Sequence, residues 1–445
     1  MACGKPEDED GEMPARRVQA RSGKCVKCRV NDIAFSKMAA GYCKECFVIV
    51  MGRRFKDVAY LAREHCRARK GATDKKNASI LLSYSGSTAS RTTLDFLKSL
   101  YFPDVAPNTR TQPAFSELEV LYVRTADDTD EMVEQHRKIV ADYGFELSVV
   151  ATDKVYEGSN TAIDLSSADL ALSESHDPTP TLLDDTTFTA TSQETLSSTI
   201  LASYITSYAE AKGHRAVIFC DTATKLAAKT LAAISKGQGW NLGEIVGAGD
   251  IPIAGSDVRM YRPLSGMSDE EVRFFAGEVQ GWPLDSSHAA RAGIDGLVEG
   301  FVRNLEAGFP STVSVISRTA SKLGMRSAET SGQKSVCALC RLPRDPDTLA
   351  WRPVASLSKF SQELDPVETA EDAEVFASAL CYSCLIPFME LQGPAKKPNL
   401  PSDAASSALR LLPAYVKHKS AGEVDKNGDD AVRSGMRAEI EEFLL

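Results

Sequence analysis

Eight of the eleven cysteines in this 445-residue chain fall into four pairs with two residues between the thiols: 25-CVKC-28, 43-CKEC-46, 337-CALC-340 and 381-CYSC-384. Two intervening residues let a tight knuckle aim both sulfurs at one tetrahedral ion, and two knuckles close a shell of four thiolates. Cys25, Cys28, Cys43 and Cys46 form one expected set, with a short connection between its pairs. Cys337, Cys340, Cys381 and Cys384 form the other, across a longer segment containing the acidic run 363-ELDPVETAEDAEVF-376. A loop of that kind closes at modest extra entropic cost. Two structural zinc ions are expected, neither with an open position for catalysis. A redox-active pair competes for the first set, but redox motifs normally come singly beside a βαβ unit. For the second, structural thiols or half-sites shared with another chain compete. Cys3, Cys66 and Cys220 have no partner at ligand spacing, and Cys220, ending the apolar run 216-AVIFC-220, reads as a buried, unreactive thiol.

A second stretch has the form of a phosphate site. In 79-SILLSYSGSTASRTTLDFLKSL-100, the apolar Ile80, Leu81 and Leu82 lead into the small-residue turn Ser85-Gly86-Ser87-Thr88-Ala89-Ser90. Leu94, Phe96, Leu97 and Leu100 follow at helical spacing. Strand, small loop and helix aim backbone N–H groups at an anion, yet this loop holds a single glycine.

A third stretch is basic. Between the first cysteine set and that turn lie Arg53, Arg54, Lys56, Arg63, Arg67, Arg69, Lys70, Lys75 and Lys76, with Phe55, Val58, Ala59 and Ala62 near helical spacing. Basic side chains beside a zinc knuckle suit RNA phosphates. A solvated helix face followed by a linker is the other reading.

These stretches must be held by an alternating framework. Strands are expected at 79–84, 117–125, 145–152 and 215–220, and helices at 91–100, 129–143, 194–212 and 222–236. Apolar strands between amphipathic helices imply a mostly parallel sheet covered on both faces, with ligands beyond the strands' carboxyl ends, where 85-SGSTAS-90 falls. Residues 157–193 are rich in Ser, Thr and Asp and read as a flexible insertion. From 250 the chain reads as a loop, a short Arg-Pro-Leu element at 262–264, and a helix capped by Ser268 with Glu271 three residues on. Helical patterns continue to about 307, and the tail is polar until 437-RAEIEEFLL-445. The expected units are a disordered tail 1–24, a zinc module 25–46, a basic helix and linker 47–77, an α/β domain 78–330, a second zinc module 331–390 and a tail 391–445.

The net charge of −10 argues against general coating of nucleic acid, though a local basic patch can still dock RNA on an acidic body. Residues 1–24 do not read as a signal peptide and no apolar run is long enough to cross a bilayer, so a cytoplasmic protein without membrane contact is expected.

The order of these parts resembles the cytoplasmic tRNA 2-thiolation proteins of the PP-loop ATPase superfamily. The likeness covers roughly residues 25–390 apart from the insertion. It is most specific in 25-CVKCRVNDIAFSKMAAGYCKECF-47, 79-SILLSYSGSTAS-90 and 262-RPLSGMSDEEVRFFA-276, and weaker in 439-EIEEFLL-445. The resemblance implies a PP-loop (adenine nucleotide alpha hydrolase-like) doubly wound parallel sheet flanked by the two four-cysteine modules. The family's catalytic branch carries a Ser-Gly-Gly-x-Asp-Ser loop that cradles the pyrophosphate of ATP, and three cysteines that handle sulfur or hold an iron–sulfur cluster. Matched onto that loop, Ser85, Gly86 and Ser90 are kept, Ser87 replaces the second glycine and Ala89 the aspartate. A Cβ at Ser87 disfavours the positive φ that such a cradle often needs. Between Ser90 and Val336 the only cysteine is Cys220.

The chain therefore looks like the non-catalytic branch, the tRNA 2-thiolation protein 2 family. Ser85, Gly86, Ser87 and Ser90 would form a degenerate nucleotide loop, with no productive ATP binding, no iron–sulfur cluster and no catalytic residue assigned. The resemblance implies 2-thiolation of the wobble uridine in tRNAs for Lys, Glu and Gln. It also implies a heterodimer with a catalytic PP-loop subunit and sulfur from a thiocarboxylated ubiquitin-like carrier. The competing readings are a thiolase active alone, which the cysteine count opposes, and a free-standing zinc RNA-binding or scaffold protein.

Overall fold

Side chains alternate along the first long strand. Ile80, Leu82 and Tyr84 face one side of the sheet and Leu81 the other, and all four are buried, so layers must cover both faces. The structure, a computed structural model, describes residues 23–37, 40–67, 77–103, 114–125, 128–151, 189–239, 242–253, 256–284, 292–323, 337–342 and 380–390. The chain opens with a hairpin of β1 (Phe35–Lys37) and β2 (Ala40–Tyr42), then a long helix α1 (Lys44–Cys66). The framework continues with β3 (Ile80–Tyr84), α2 (Thr88–Tyr101), β4 (Leu118–Arg124), α3 (Asp130–Asp142), β5 (Leu147–Ala151), α4 (Ala190–Ala211), β6 (Ala216–Ile218) and α5 (Ala223–Ser235). There follow α6 (Leu242–Val246), β7 (Ile251–Pro252), β8 (Arg259–Tyr261), α7 (Asp269–Phe274) with a π-helical turn at Phe275–Val279, α8 (Ile294–Gly308), α9 (Pro310–Leu323) and α10 (Tyr382–Glu390).

The six strands run β5-β4-β3-β6-β8-β7, all parallel except the edge strand β7. Ile80 sits opposite Leu118 on one side and Ala216 on the other. The winding reverses between β3 and β6, and the turn 85–90 leaves the carboxyl end of β3 at that switch point. The largest core joins Phe47, Met51 and Phe55 of α1, Phe96 of α2 and Phe275 to one sheet face, with Phe96 stacked between Phe55 and Phe275 at 5.3 and 5.1 Å. Ile205 and Ala209 of α4 cover Leu81, Leu121 and Val217 on the other face. The alanine-rich face of α5 packs on Val298 and Val302 of α8 and Val313 of α9, small residues allowing close approach.

Serine and threonine start the helices as the sequence pattern requires. Thr129, Thr189 and Thr222 each accept the backbone N–H three residues on, at 3.3, 3.2 and 3.2 Å. Ser268 and Glu271 form the expected reciprocal capping box. The cap at Thr189 corrects the flexible reading of 157–193 at its end: residues 190–193 are helical, and Ser192 and Thr195 are buried. Residues 157–188 of that reading, and the tails 1–22 and 391–445, lie outside the described residues. The loop expected from 250 is also corrected, since it contains β7 and β8, and α9 begins at Pro310 beyond the expected end of the helical pattern.

Two polar networks tie the elements together. At the amino ends of the strands, Glu119 accepts hydrogen bonds from Tyr208 and Ser148 at 2.6 and 2.8 Å and pairs at 2.8 Å with His214, whose other ring nitrogen meets Ser79 at 2.8 Å. In the second network, buried Glu271 of α7 receives Arg54 of α1 at 2.6 Å and Lys37 of the hairpin at 3.3 Å. Burial opposes the Glu271 charge, yet Lys37 and Arg54 hold its carboxyl below the ordinary range. A carboxyl depressed in the folded state contributes stability above its unfolded value, about 4.3, and that contribution fades as pH falls toward the folded value. Glu271→Gln should therefore flatten the loss of stability below about pH 4 in acid titrations followed by circular dichroism. Glu271→Ala should cost roughly 2 to 3 kcal/mol at pH 7 in urea unfolding, less than the roughly 3 to 5 kcal/mol for breaking a fully buried pair because Arg54 is partly exposed.

Candidate functional site

Both cysteine sets are built alike. Cys25 and Cys28 sit on a turn closed by the Arg29 N–H to the Cys25 carbonyl at 2.8 Å, and Cys337 and Cys340 on one closed by Arg341 to Cys337 at 2.9 Å. Arg29 and Arg341 both have φ of +59°. Each second pair opens a helix: Cys43 is the N-cap of α1 with Cys46 in its first turn, and Cys381 precedes α10 with Cys384 in its first turn. The helix N-terminus favours negative sulfur there. Within each set all four Sγ atoms lie within 4.8 Å of one another, with Cys28 to Cys43 at 3.8 Å and Cys340 to Cys381 at 3.7 Å. A tetrahedron with metal–sulfur bonds of about 2.3 Å has edges of about 3.8 Å, so each set fits a single ion and is consistent with zinc.

The donors' acidity fits the same reading. Burial opposes ionisation of Cys25, but backbone N–H groups of Cys28, Cys43 and Lys27 bring it down to about 6. Burial pushes Cys46 up to about 12, and Cys340 and Cys384 are raised through their hydrogen bonds to Cys337. Four clustered, largely buried thiols cannot all ionise against one another, and a divalent cation at the centre is what would let them do so. The repeated Cys-x-x-Cys-Arg is a signal that ligand spacing alone overlooks. Arg341 also fixes the second set to the body, donating to Ser207 and Glu210 of α4 at 2.9 and 2.6 Å. Of the remaining thiols, burial raises Cys66 and Cys220 to about 12, and the Cys220 thiol donates to the Ser83 carbonyl at 3.4 Å.

The turn after β3 leads directly into the start of α2 and uses its hydroxyls internally. Gly86 has φ of +75°, and a Cβ there would meet the His136 ring at 2.4 Å, so this glycine is demanded twice over. Ser87 does not occupy a positive-φ position, which corrects the expected backbone penalty: at φ −68° it is the N-cap of α2 and accepts the Ser90 N–H at 3.3 Å. Ser90 is fully buried and donates to the Ser87 carbonyl at 2.8 Å, while Ser85 and Ser87 bond to each other at 3.0 Å. Ala89, at the aspartate's place, packs against the core.

The structure separates the basic residues. Arg53, Lys56, Arg63 and Arg67 are exposed on α1, with Arg67 3.7 Å from Glu64, whereas Arg54 turns inward to Glu271. Arg69, Lys70, Lys75 and Lys76 lie outside the described residues.

A family model described as cytoplasmic tRNA 2-thiolation protein 2 matches residues 293–386, which hold α8, α9 and all four cysteines of the second set. Cytoplasmic tRNA 2-thiolation protein 2 of Drosophila yakuba is 27% identical over 402 residues, covering 81% of this chain and 89% of that protein. Over most of its length the chain is similar to cytoplasmic tRNA 2-thiolation protein 2. The Danio rerio member is 23% identical and covers 96% of this chain and 95% of its own, and that of Schizosaccharomyces pombe is 24% identical over 85% and 95%. Among solved structures, the U34-tRNA thiolase NcsA of Methanococcus maripaludis, described with its 4Fe-4S cluster, aligns at TM-score 0.48 and 17% identity over 72% of this chain and 96% of that one. The described residues form the expected doubly wound, mostly parallel α/β sheet, with one four-cysteine group before it in the chain and another after it.

Elemental analysis should find two zinc ions per chain, and fewer than one would overturn the assignment. Cys43→Ser should lose the first ion and loosen the start of α1 together, because one residue is both ligand and cap. Ser87→Ala should cost about 1 kcal/mol in thermal or urea unfolding, the value of an N-cap.

Proposed function

We propose that this chain is the non-catalytic subunit of the cytoplasmic enzyme that 2-thiolates the wobble uridine of tRNAs for Lys, Glu and Gln. Similarity to cytoplasmic tRNA 2-thiolation protein 2 along most of the chain supports a role in tRNA 2-thiolation. The observation that carries the non-catalytic part is the turn at 85–90: its Ser87 hydroxyl caps α2 and its Ser90 hydroxyl is buried on the Ser87 carbonyl. Neither is presented to a triphosphate, and alanine stands where the family's catalytic branch has an aspartate. The adenylation and sulfur chemistry then belong to a catalytic PP-loop subunit paired with this chain, with sulfur from a thiocarboxylated ubiquitin-like carrier.

In this reading the chain's own work is to hold tRNA and to complete the heterodimer. The two zinc sites are structural: each orders a knuckle and fastens it to a helix start. Arg53, Lys56, Arg63 and Arg67 on α1, continued by Arg69 and Lys70, take phosphates without reading sequence. Arg54 is withdrawn from that set because it serves Glu271. The degenerate turn does not bind ATP productively, and no iron–sulfur cluster is assigned to this chain.

Cells lacking the chain should lose 2-thiouridine at the wobble position, with other modifications of that uridine intact, when digested tRNA is read by mass spectrometry. Retention of the mark would remove the chain from the pathway. In the same assay Ser90→Ala should leave thiolation largely intact, and a strong defect in the folded variant would restore an active nucleotide site. Reversing Arg63, Arg67 and Arg69 to Glu should weaken tRNA binding by the heterodimer and lower the slope of log affinity against log salt by about one per lost phosphate contact, without separating the subunits. Filter binding at several salt concentrations measures both quantities.

A further inference from the structure

The outer face of α1 is more than a row of charges. Ile49, Arg53, Lys56, Tyr60, Arg63 and Arg67 recur at alternating spacings of four and three, which on a helix is a single stripe. All six are exposed, opposite the buried Met51, Phe55, Ala59 and Ala62. Tyr60 lies between Lys56 and Arg63 with 53% of its surface exposed, and it makes no hydrogen bond or ring contact among the described residues. Arg53, Lys56 and Arg63 have no carboxylate partner among the described residues, Arg67 reaches Glu64 at 3.7 Å, and Asp57 and Glu64 flank only one edge of the stripe. The cations stand out on a chain of net charge −10, so the field that draws a polyanion is local to this helix.

An exposed tyrosine set among free cations has a specific use with single-stranded nucleic acid. Lysine and arginine hold the backbone while the flat ring between them offers a platform to one unstacked base. Paired RNA keeps its bases stacked on one another and presents only phosphates to such a helix. We propose that Tyr60 stacks on an unpaired RNA base, making the α1 stripe a reader of single-stranded segments and not only an electrostatic rail. This rests on the reading of α1 as the phosphate-binding face. The stripe from Arg53 to Arg67 spans about 21 Å along the helix, with the ring near its middle.

The test uses the full-length chain in its purified complex and two RNA probes with equal numbers of phosphates, a stem-loop with an unpaired loop and a blunt duplex. Tyr60→Ala should weaken stem-loop binding by about tenfold, leave the duplex unchanged and leave the salt slope unchanged. Tyr60→Phe, which keeps the ring, should bind as the wild type does. Wild-type affinity of Tyr60→Ala for the stem-loop, an equal loss on both probes, or release of a partner protein with RNA binding intact would each overturn the stacking role. Arg53→Glu with Arg63→Glu, measured alongside, separates the two layers. Weaker binding and a flatter salt slope there, with Tyr60→Ala silent, leave the phosphate face standing and remove only the base platform. No change in either variant removes both.

Discussion

One buried carboxylate joins three parts of this protein that share little sequence logic. Glu271 caps its own helix through the Ser268 N–H at 2.9 Å, takes Arg54 from α1 and takes Lys37 from the hairpin of the first cysteine module. A desolvated carboxylate is costly alone, so each partner is needed by the other two. Lys37 also lies 3.7 Å from Glu306 of α8, which accepts the Thr224 hydroxyl of α5 at 2.7 Å, and Thr224 in turn accepts the Asp269 N–H at 2.9 Å. The first cysteine module, the α/β body and the outer helices are thereby tied through one polar cluster, and metal loss in the module would be felt at the sheet.

A second buried charge organises the Arg-Pro-Leu element. Asp221 follows β6 and meets Arg262 at 3.1 Å, Lys229 at 2.8 Å and Lys225 at 3.6 Å. Burial opposes its charge, but these cations hold its carboxyl well below the usual range. Arg262 also donates to the Gly247 carbonyl at 2.6 Å, and the Ala223 N–H reaches the Met267 carbonyl at 2.7 Å. The element is thus a clamp between the start of α5 and the last parallel strand. The second cysteine set is fastened separately, through Arg341 onto α4.

The turn after β3 shows what a strand-to-helix connection demands of its residues. A parallel strand entering a helix needs a tight turn, one residue at positive φ and a cap. Gly86 and Ser87 meet those needs here, and a hydroxyl committed to a backbone N–H is not presented to a phosphate. Loss of the second glycine does not strain the backbone, because the residue at that place has ordinary extended geometry.

Local pattern was enough to place β3, β4, β5, α2, α3 and α5 within a few residues, and the capping box at Ser268, because apolar period and cap chemistry act over a few neighbours. Cysteine spacing likewise sufficed to group the eight thiols, since a knuckle is a local object. Strand β8 was not legible: Arg259-Met260-Tyr261 is too short for an alternation to be read and begins with a charge, which in the fold pairs with Asp250. Arg54 could not be told from its basic neighbours either, because its partner Glu271 lies 217 residues away, and Lys37 is 234 residues from the same carboxylate. Spacing marked α1 as basic, but only tertiary packing decided which of its faces is buried and which cations remain in water, since that choice is made by the residues it folds against.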